Sequence, residues 1–293
     1  MKVLVIGVSG MLGHKIFIDL KRNKSLQVFG LCRNLEAIGN FSKDDLNDVQ
    51  DDFSVDKIDD LDKYIDSLRP KFIINCVGVI KQSKSINKHS ETIKINSLFP
   101  HELARIASKY NSKLIHFSTD CVFSGKKGMY EETDLEDAID LYGRSKLLGE
   151  VNYDEHLTLR TSMIGHELNN KSSLLEWFLK QKGRSVDGFS KATFSGLPTI
   201  SISRIINQII ENHEDLQGLY HLSAEPINKF TLLNLIQKIY SLDIKVNRET
   251  EFFIDRSLNP SKFYNDTGIL VPSWDELILA MYEDYNRENI YAE

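Results

Sequence analysis

The N-terminal segment constrains the fold most. Residues 2–6 (KVLVI) form a short apolar run that leads directly into residues 7–13 (GVSGMLG) and then into a helical pattern. A strand, a glycine turn and a helix follow one another in this order in dinucleotide-binding proteins. Gly7 permits a tight turn, Gly10 lets the backbone approach a pyrophosphate, and Gly13 lets the helix pack closely on the sheet. The helix N-terminus then faces the anion, so the segment predicts nucleotide binding, although its spacing is GxxGxxG and not GxGxxG.

The second strand-like run, residues 26–31, indicates which nucleotide is bound. It ends just before Arg33, and no Asp or Glu stands where an acid would hold the adenosine ribose hydroxyls. Arg33 indicates a 2′-phosphate, because a charge-assisted contact of this kind contributes on the order of 1.5–3 kcal/mol, a preference of roughly ten- to hundredfold. We therefore predict NADPH. NADH stays open, since the alternative for Arg33 is a solvated surface arginine.

The rest of the chain alternates strands with helices. Strand-like runs at 72–77, 113–117, 157–160 and 218–222 alternate with helical patterns around 59–68, 92–109, 142–152, 173–182 and 202–212. This alternation predicts an α/β fold, a Rossmann-type doubly wound parallel sheet with a smaller, mostly C-terminal α/β substrate lobe. The pattern becomes irregular after Thr161. We expect residues 1–165 plus about 203–224 to form the NAD(P)-binding domain, and about 166–202 and 225–293 the substrate-binding lobe.

Composition narrows the choice of partners. The 293 residues are 41% hydrophobic and carry a formal net charge of −6, which disfavours nucleic acid or an anionic membrane as the main partner. No stretch approaches the ~18 apolar residues of a membrane span, and a strand stands where a signal peptide would lie, so we expect a cytoplasmic protein. Cys32, Cys76 and Cys121 are widely separated and the histidines lack ligand spacing, so we expect no metal. A homodimer stays open.

Tyr142 and Lys146 suggest the chemistry. They are four residues apart, so on a helix they share one face. A free phenol has a pKa of ~10, and a nearby ammonium favours the phenolate, so Lys146 is expected to lower the pKa of Tyr142 toward the working range. Thr119, which follows the strand-like run 113–117, would add a hydroxyl to the same site. The alternative is an exposed helical pair, but the glycine turn favours a carbonyl-reducing site.

Several segments together carry a family resemblance. They are 7–13, Asn75, 118–125 (STDCVFSG), 130–132 (YEE), 142–150 (YGRSKLLGE) and 160–162 (RTS). In these motifs the chain resembles the extended short-chain dehydrogenases/reductases, and among them the dTDP-4-dehydrorhamnose reductases. The resemblance implies reduction of the 4-keto group of a nucleoside-diphosphate 4-keto-6-deoxy sugar with hydride from NAD(P)H, in cell-surface polysaccharide precursor synthesis. It further implies that Tyr142 donates the proton, Lys146 holds the nicotinamide ribose and Thr119 hydrogen-bonds the reacting carbonyl.

The resemblance and the motifs together define the expected site. Cofactor contacts are expected at Gly7, Ser9, Gly10, Met11, Leu12, Gly13, Arg33, Asn75, Cys76, Val77, Tyr142 and Lys146. Substrate contacts are expected at Cys121, Val122, Phe123, Thr161, Ser162, Trp177, Phe194 and Arg256. For the aromatic residues the alternative is core packing of the small lobe, and for Arg256 it is a structural salt bridge.

Two departures from the family pattern leave the substrate open. Cys121 stands where these reductases usually have Tyr, and residues 192–199 (ATFSGLPT) replace their usual Asp-Gln-x-Gly-x-Pro-Thr segment. A UDP-linked 2-acetamido-4-keto-6-deoxy sugar is therefore a second candidate. Cys121 also replaces the Glu of the related 4,6-dehydratases, and a thiol with a pKa of ~8.5 is a poor substitute for that carboxylate. A sugar-nucleotide epimerase stays open, as does a regulatory NADP-binding subunit similar to that of methionine adenosyltransferase.

Overall fold

The computed structural model describes residues 1–81, 84–169 and 171–291. The strands are β1 (Lys2–Ile6), β2 (Gln27–Leu31), β3 (Val49–Gln50), β4 (Phe72–Asn75), β5 (Lys113–Thr119), β6 (Leu157–Thr161), β7 (Met163–Ile164), β8 (Ser185–Phe194), β9 (Leu197–Pro198), β10 (Gly218–His221), β11 (Ile227–Asn228) and β12 (Lys245–Asp255). The helices are α1 (Met11–Lys21), α2 (Lys43–Leu46), α3 (Ile58–Leu68), α4 (His89–Ile93), α5 (Phe99–Lys109), α6 (Leu141–Leu147), α7 (Leu174–Leu179), α8 (Thr199–Asn212), α9 (Lys229–Ile239), α10 (Ser261–Thr267) and α11 (Trp274–Arg287).

Seven of these strands form one parallel sheet in the order β10-β6-β5-β4-β1-β2-β3. The order reverses between β1 and β4, which is the switch point where α/β sheets bind ligands. The strands are apolar and buried because helices cover both faces: α1 and α8 pack on one side, and α3 and α5 on the other. The predicted Rossmann-type fold is confirmed.

A smaller sheet lies outside the parallel one. Its strands run in the order β11-β8-β12, with β8 antiparallel to β11 and parallel to β12. Residues of α7, α9 and α11 pack against it in a separate apolar cluster that includes Phe178, Phe194 and Ile236. The small sheet therefore has an apolar cluster of its own, separate from those of the parallel sheet.

The main differences from the predicted elements have local causes. The helix predicted around 92–109 is interrupted by a π-helical segment, Lys94–Leu98, before Pro100 enters the first turn of α5. The strand predicted over 72–77 ends at Asn75, whose side-chain oxygen accepts the amide hydrogen of Val77 at 3.0 Å. The acidic stretch 43–62 contains the edge strand β3, which was not predicted because the stretch is highly charged. Among the described residues, no helix is long and apolar enough to cross a membrane.

Candidate active site

The glycine turn joins β1 to α1 at the switch point of the sheet. Gly7 has φ +93°, a backbone conformation that favours glycine. A Cβ on Gly13 would lie 2.1 Å from the Gly7 carbonyl oxygen, so the first turn of α1 packs directly on the loop. Gly10 occupies the N-cap position and lacks a capping side chain, which leaves amide hydrogens of the first turn for an anion.

The other predicted cofactor residues surround this turn. Ser9 and Met11 are partly exposed, whereas the Leu12 side chain is buried in the core and could offer only its backbone. Arg33 is exposed just after β2, whose last carbonyl, on Leu31, accepts the Gly7 amide hydrogen at 2.8 Å. On the other side, the loop after β4 brings Cys76 and Val77 within 3.3 Å of where a Gly7 Cβ would lie, and the buried Asn75 stands directly before it. The residues present therefore fit a dinucleotide.

Thr119 and Tyr142 meet at the end of β5. Tyr142 is the second residue of α6, which Asp140 caps by accepting the Gly143 amide hydrogen at 2.9 Å. Gly143 brings α6 close, because a Cβ there would lie 2.2 Å from the Cys121 carbonyl oxygen. The Thr119 side chain lies close enough to the Tyr142 hydroxyl to lower the pKa of that phenol, and its own hydroxyl donates to Asp120 Oδ1 at 3.2 Å. The two hydroxyls thus lie together at the end of β5, where the partly exposed Tyr142 could donate to a carbonyl oxygen.

The electrostatics of Tyr142 differ from expectation. Desolvation raises the pKa of its phenol above the usual value, and the neighbouring Cys121, Asp120 and Asp140 raise it further, while the nearby Thr119 side chain opposes the rise. Lys146 does share the helix face with Tyr142, but its ammonium donates to the Phe117 carbonyl oxygen at 2.7 Å. The predicted lowering of the Tyr142 pKa by Lys146 is therefore not what this arrangement produces, because the long lysine side chain reaches back to β5.

Lys146 itself is buried. Desolvation lowers its pKa to about 8, against the opposing effects of Glu150 and Cys76. Its Nζ also lies 3.4 Å from Nε2 of His116. With this pKa the ammonium is mostly protonated at neutral pH and loses its proton as pH rises through about 8.

A cationic group lies beside the hydroxyl pair. Arg256, directly after β12, donates from Nε to the Phe123 carbonyl oxygen at 2.8 Å and places Nη1 3.8 Å from the Cys121 sulfur. Burial raises the pKa of the Cys121 thiol to about 12, so the sulfur is protonated at neutral pH. Asp120 has a pKa raised by burial, and Arg256 and Lys229 both oppose that rise. Arg256 therefore lies beside Cys121 and near Asp120, and its predicted contact with substrate stays a prediction.

Lys229 is a site residue that the sequence reasoning missed. It begins α9, its Nζ lies 4.9 Å from the centre of the Phe194 ring, and burial lowers its pKa while Asp120 and Cys121 raise it. The only sequence signal is a lysine just ahead of an apolar helix, which is usually a solvated cap. Phe194 is buried, and the described contact that links it to this group is the one with Lys229.

The remaining predicted substrate residues divide into two groups. Val122 and Phe123 are fully buried in a cluster with Tyr130 and Leu258, so of the predicted substrate contacts only those of their backbone are compatible with this packing. Phe123 stacks on Tyr130 with ring centres 4.1 Å apart, a contact that the motif alone does not reveal.

The second group of predicted substrate residues contains Thr161, Ser162 and Trp177, for which the part of the chain that the structure describes shows no contact with Tyr142. Thr161 is paired with Thr119 across β5 and β6 but is buried, and its hydroxyl donates to the Ser162 carbonyl oxygen at 3.0 Å. Ser162 is partly exposed beside it. Trp177 lies on α7 and is 39% exposed, with no described contact to the hydroxyl pair.

A buried ion pair between Arg160 and Glu150 is connected to the end of β5. Arg160 is 1% exposed and donates from Nε and Nη2 to the two carboxylate oxygens of Glu150, at 2.7 Å each. Glu150 also accepts from the Ser118 hydroxyl at 2.6 Å. Since Ser118 precedes Thr119, this network holds the end of β5. Within residues 1–81, 84–169 and 171–291, no group of three or more His, Cys, Asp or Glu side chains is arranged to hold a metal ion.

The sheet order, the glycine turn and the Thr-Tyr-Lys cluster are those of an extended short-chain dehydrogenase/reductase. The chain belongs to the family described as the RmlD substrate binding domain, whose model matches residues 1–251.

The chain is also similar in sequence or structure to several known proteins. The chain is 29% identical over 234 residues to the dTDP-4-dehydrorhamnose reductase of Aggregatibacter actinomycetemcomitans, which covers 77% of this chain and 74% of the relative. It is 27% identical over 256 residues to the methionine adenosyltransferase 2 subunit beta of Danio rerio, with 82% and 74% covered. The solved dTDP-4-dehydrorhamnose reductase of Bacillus anthracis, in complex with NADP, superimposes with a TM-score of 0.79 at 22% identity, over 97% of this chain and 99% of that one.

Proposed function

We propose that this protein reduces the 4-keto group of a nucleoside-diphosphate 4-keto-6-deoxy sugar with NADPH. The observation that carries the proposal is the proximity of Thr119 and Tyr142 at the end of β5, in the sheet whose switch point holds the glycine turn. The relatives named as dTDP-4-dehydrorhamnose reductases support the reaction, and the NADP complex of the structural neighbour supports the cofactor.

The glycine turn and its neighbours would hold the cofactor. The amide hydrogens at the start of α1 would bind the pyrophosphate, and the exposed Arg33 would meet the 2′-phosphate; without that contact NADH would be accepted equally. Lys146 would hold the nicotinamide ribose. Bound there, NADPH would supply hydride for sugar C4.

Tyr142 would act as the acid. When hydride adds to C4, the electron pair of the C=O π bond moves to oxygen, and the phenol proton transfers to that oxygen. The raised pKa of Tyr142 keeps the phenol protonated at neutral pH, and proton transfer to an alkoxide remains favourable. Thr119 donates to the same oxygen as charge develops there, an interaction worth on the order of 10²–10³ in rate.

The second lobe would hold the sugar nucleotide. We propose that the small sheet with α7, α9 and α11 forms the substrate lobe, within about 166–202 and 225–293, although residues 170, 292 and 293 of that range lie outside the described residues. Arg256 and Lys229 supply positive charge for the anionic part of the substrate. Cys121 removes a phenol that the dTDP-linked reductases usually have, which leaves room for a 2-acetamido group of a UDP-linked sugar.

The test is NADPH oxidation with 4-keto-6-deoxy sugars made in situ by a dehydratase, dTDP-linked and UDP-N-acetyl-linked in parallel. Tyr142→Phe is expected to lower kcat by about 10²–10⁴-fold with little change in NADPH affinity, whereas the exposed Tyr264→Phe serves as the matched control. Undiminished turnover in Tyr142→Phe would refute the acid role. An unchanged KM for the sugar nucleotide in Arg256→Ala would remove that residue from the substrate site.

Two other outcomes would redirect the proposal. Cofactor that copurifies and does not exchange at each turnover would indicate an epimerase, which needs the same hydroxyls and lysine. NADPH binding with no oxidation of either sugar series would favour a regulatory subunit, a reading supported by the similarity to the methionine adenosyltransferase subunit beta.

A further inference from the structure

A buried histidine on the same strand as Thr119 lies between Asn75 and Lys146, two residues expected to contact the cofactor. His116, on β5, is 1% exposed. Its Nδ1 lies 3.1 Å from Asn75 Nδ2, and its Nε2 lies 3.4 Å from Lys146 Nζ. Nothing in the proposed reaction uses this ring, yet its two nitrogens connect the end of β4 to the lysine of α6.

The backbone determines which nitrogen of the ring carries the proton. The backbone N–H of Val77 donates to Asn75 Oδ1 at 3.0 Å. Because a backbone N–H can only donate, this contact fixes which end of the Asn75 side-chain amide is the oxygen. Asn75 must therefore present its NH₂ group to His116, so Nδ1 accepts. In the neutral ring the hydrogen is then on Nε2, and it points at Lys146.

We propose that His116 is a positioning residue which, held in the Nε2–H tautomer by Asn75, sets the protonation state and direction of Lys146 Nζ. The inference rests on the proposed function, in which Lys146 holds the nicotinamide ribose. An N–H group facing an ammonium disfavours the charged form, and a neutral amine can accept that hydrogen with its lone pair. The remaining Nζ hydrogens stay directed at the Phe117 carbonyl oxygen, 2.7 Å away.

Charged and titratable side chains from three other positions influence the pKa values of Lys146 and His116. Glu150, beyond the end of α6, and Cys76, after β4, both raise the pKa of Lys146, while burial lowers it to about 8. Burial holds the pKa of His116 well below its usual value, and Lys146 and His101 of α5 lower it further. The ring therefore stays neutral across the working range, and Lys146 is the member of the pair that titrates.

The test is the pH dependence of NADPH affinity, measured by fluorescence titration. In the unaltered protein, affinity is expected to fall as pH rises through about 8, when the ammonium loses its proton. His116→Gln replaces the facing N–H with a carbonyl oxygen that accepts from the ammonium, so the midpoint should move upward by about one pH unit or more. Lys146→Met should abolish the inflection.

The matched control is His156→Gln. His156 is also buried, but it contacts the Ala104 carbonyl oxygen and the Leu114 amide at the opposite end of the sheet. A merely structural role would lower affinity or stability without moving the midpoint, and His156→Gln is expected to leave the midpoint unchanged. If His116→Gln does not fold, His116→Asn keeps an acceptor for Asn75 and removes the N–H facing Lys146, with the same upward shift expected.

Three results would overturn the inference: an unmoved or lowered midpoint in the His116 variants, an equal shift in His156→Gln, or an inflection that survives Lys146→Met. The binding assay needs no sugar substrate. A shifted midpoint together with no turnover of any keto sugar would therefore remove the reductase proposal and leave the role of His116 standing.

Discussion

Gly10 and Gly13 stand three residues apart at the start of α1, but the structure gives them different tasks. A Cβ on Gly13 would lie 2.1 Å from the Gly7 carbonyl oxygen and 2.7 Å from its carbon. Both contacts are with backbone, so no side chain can rotate away. At Gly10 the nearest atom to a Cβ is the same oxygen at 3.4 Å, and φ is −82°, which any residue adopts. Alanine fits Gly10 in the folded protein and does not fit Gly13.

The expected costs follow from these distances. Restoring the 2.1 Å contact of Gly13→Ala to 3.4 Å requires α1 to move by about 1.3 Å away from the loop, in a helix that packs on the core of the sheet. We expect the free energy of unfolding to fall by about 3 kcal/mol, at the upper end of the range for overpacked sites. For Gly10→Ala the change should stay within about 1 kcal/mol, but its methyl group would project to where the pyrophosphate binds. NADPH affinity should then fall by at least about tenfold.

The measurement combines urea unfolding with NADPH titration for both variants. We expect Gly13→Ala mainly to lower the free energy of unfolding and Gly10→Ala mainly to lower the affinity for NADPH. If Gly13→Ala unfolded with the free energy of the unaltered protein, the close contact of helix and loop would be refuted. If Gly10→Ala bound NADPH unchanged, the pyrophosphate would not lie on this turn.

Three further predictions concern charge. Arg33→Ala should raise the Kd for NADPH by roughly ten- to hundredfold and leave that for NADH unchanged, and equal losses for both cofactors would rule out a 2′-phosphate contact. Arg160→Met should lower the free energy of unfolding by about 3–5 kcal/mol, because Glu150 would stay buried without its partner, and a urea-measured loss below about 1 kcal/mol would contradict this. Burial lowers the pKa of His221 from 6.5 to about 3, so the unfolded chain binds its proton first, and stability should fall by about 1.4 kcal/mol per pH unit as pH drops below 6.5. His221→Gln should remove that share of the slope, and parallel pH dependences of the two proteins would argue against it.

Local patterns determined the scaffold. The apolar run 2–6, the glycines after it and the alternation of strands and helices predict a parallel sheet with a nucleotide turn, because strand and helix periodicities and glycine conformations are properties of a few neighbouring residues. The helical spacing of Tyr142 and Lys146 likewise placed both on one face of α6. These features depend on sequence neighbours, so the sequence alone was sufficient to predict them.

Tertiary structure decided what those side chains do. Lys146 reaches the Phe117 carbonyl oxygen, and Arg256 meets Cys121 from 135 residues away along the chain. Val122, in the same motif as Thr119, is enclosed in an apolar cluster with Leu258, which is distant in the sequence. Contacts of this kind depend on which distant segments exclude water from a group, and desolvation is the largest influence on the pKa values of Tyr142 and Lys146. Sequence periodicity predicts which face of an element is buried, but only the assembled lobes determine which partner each buried polar group meets.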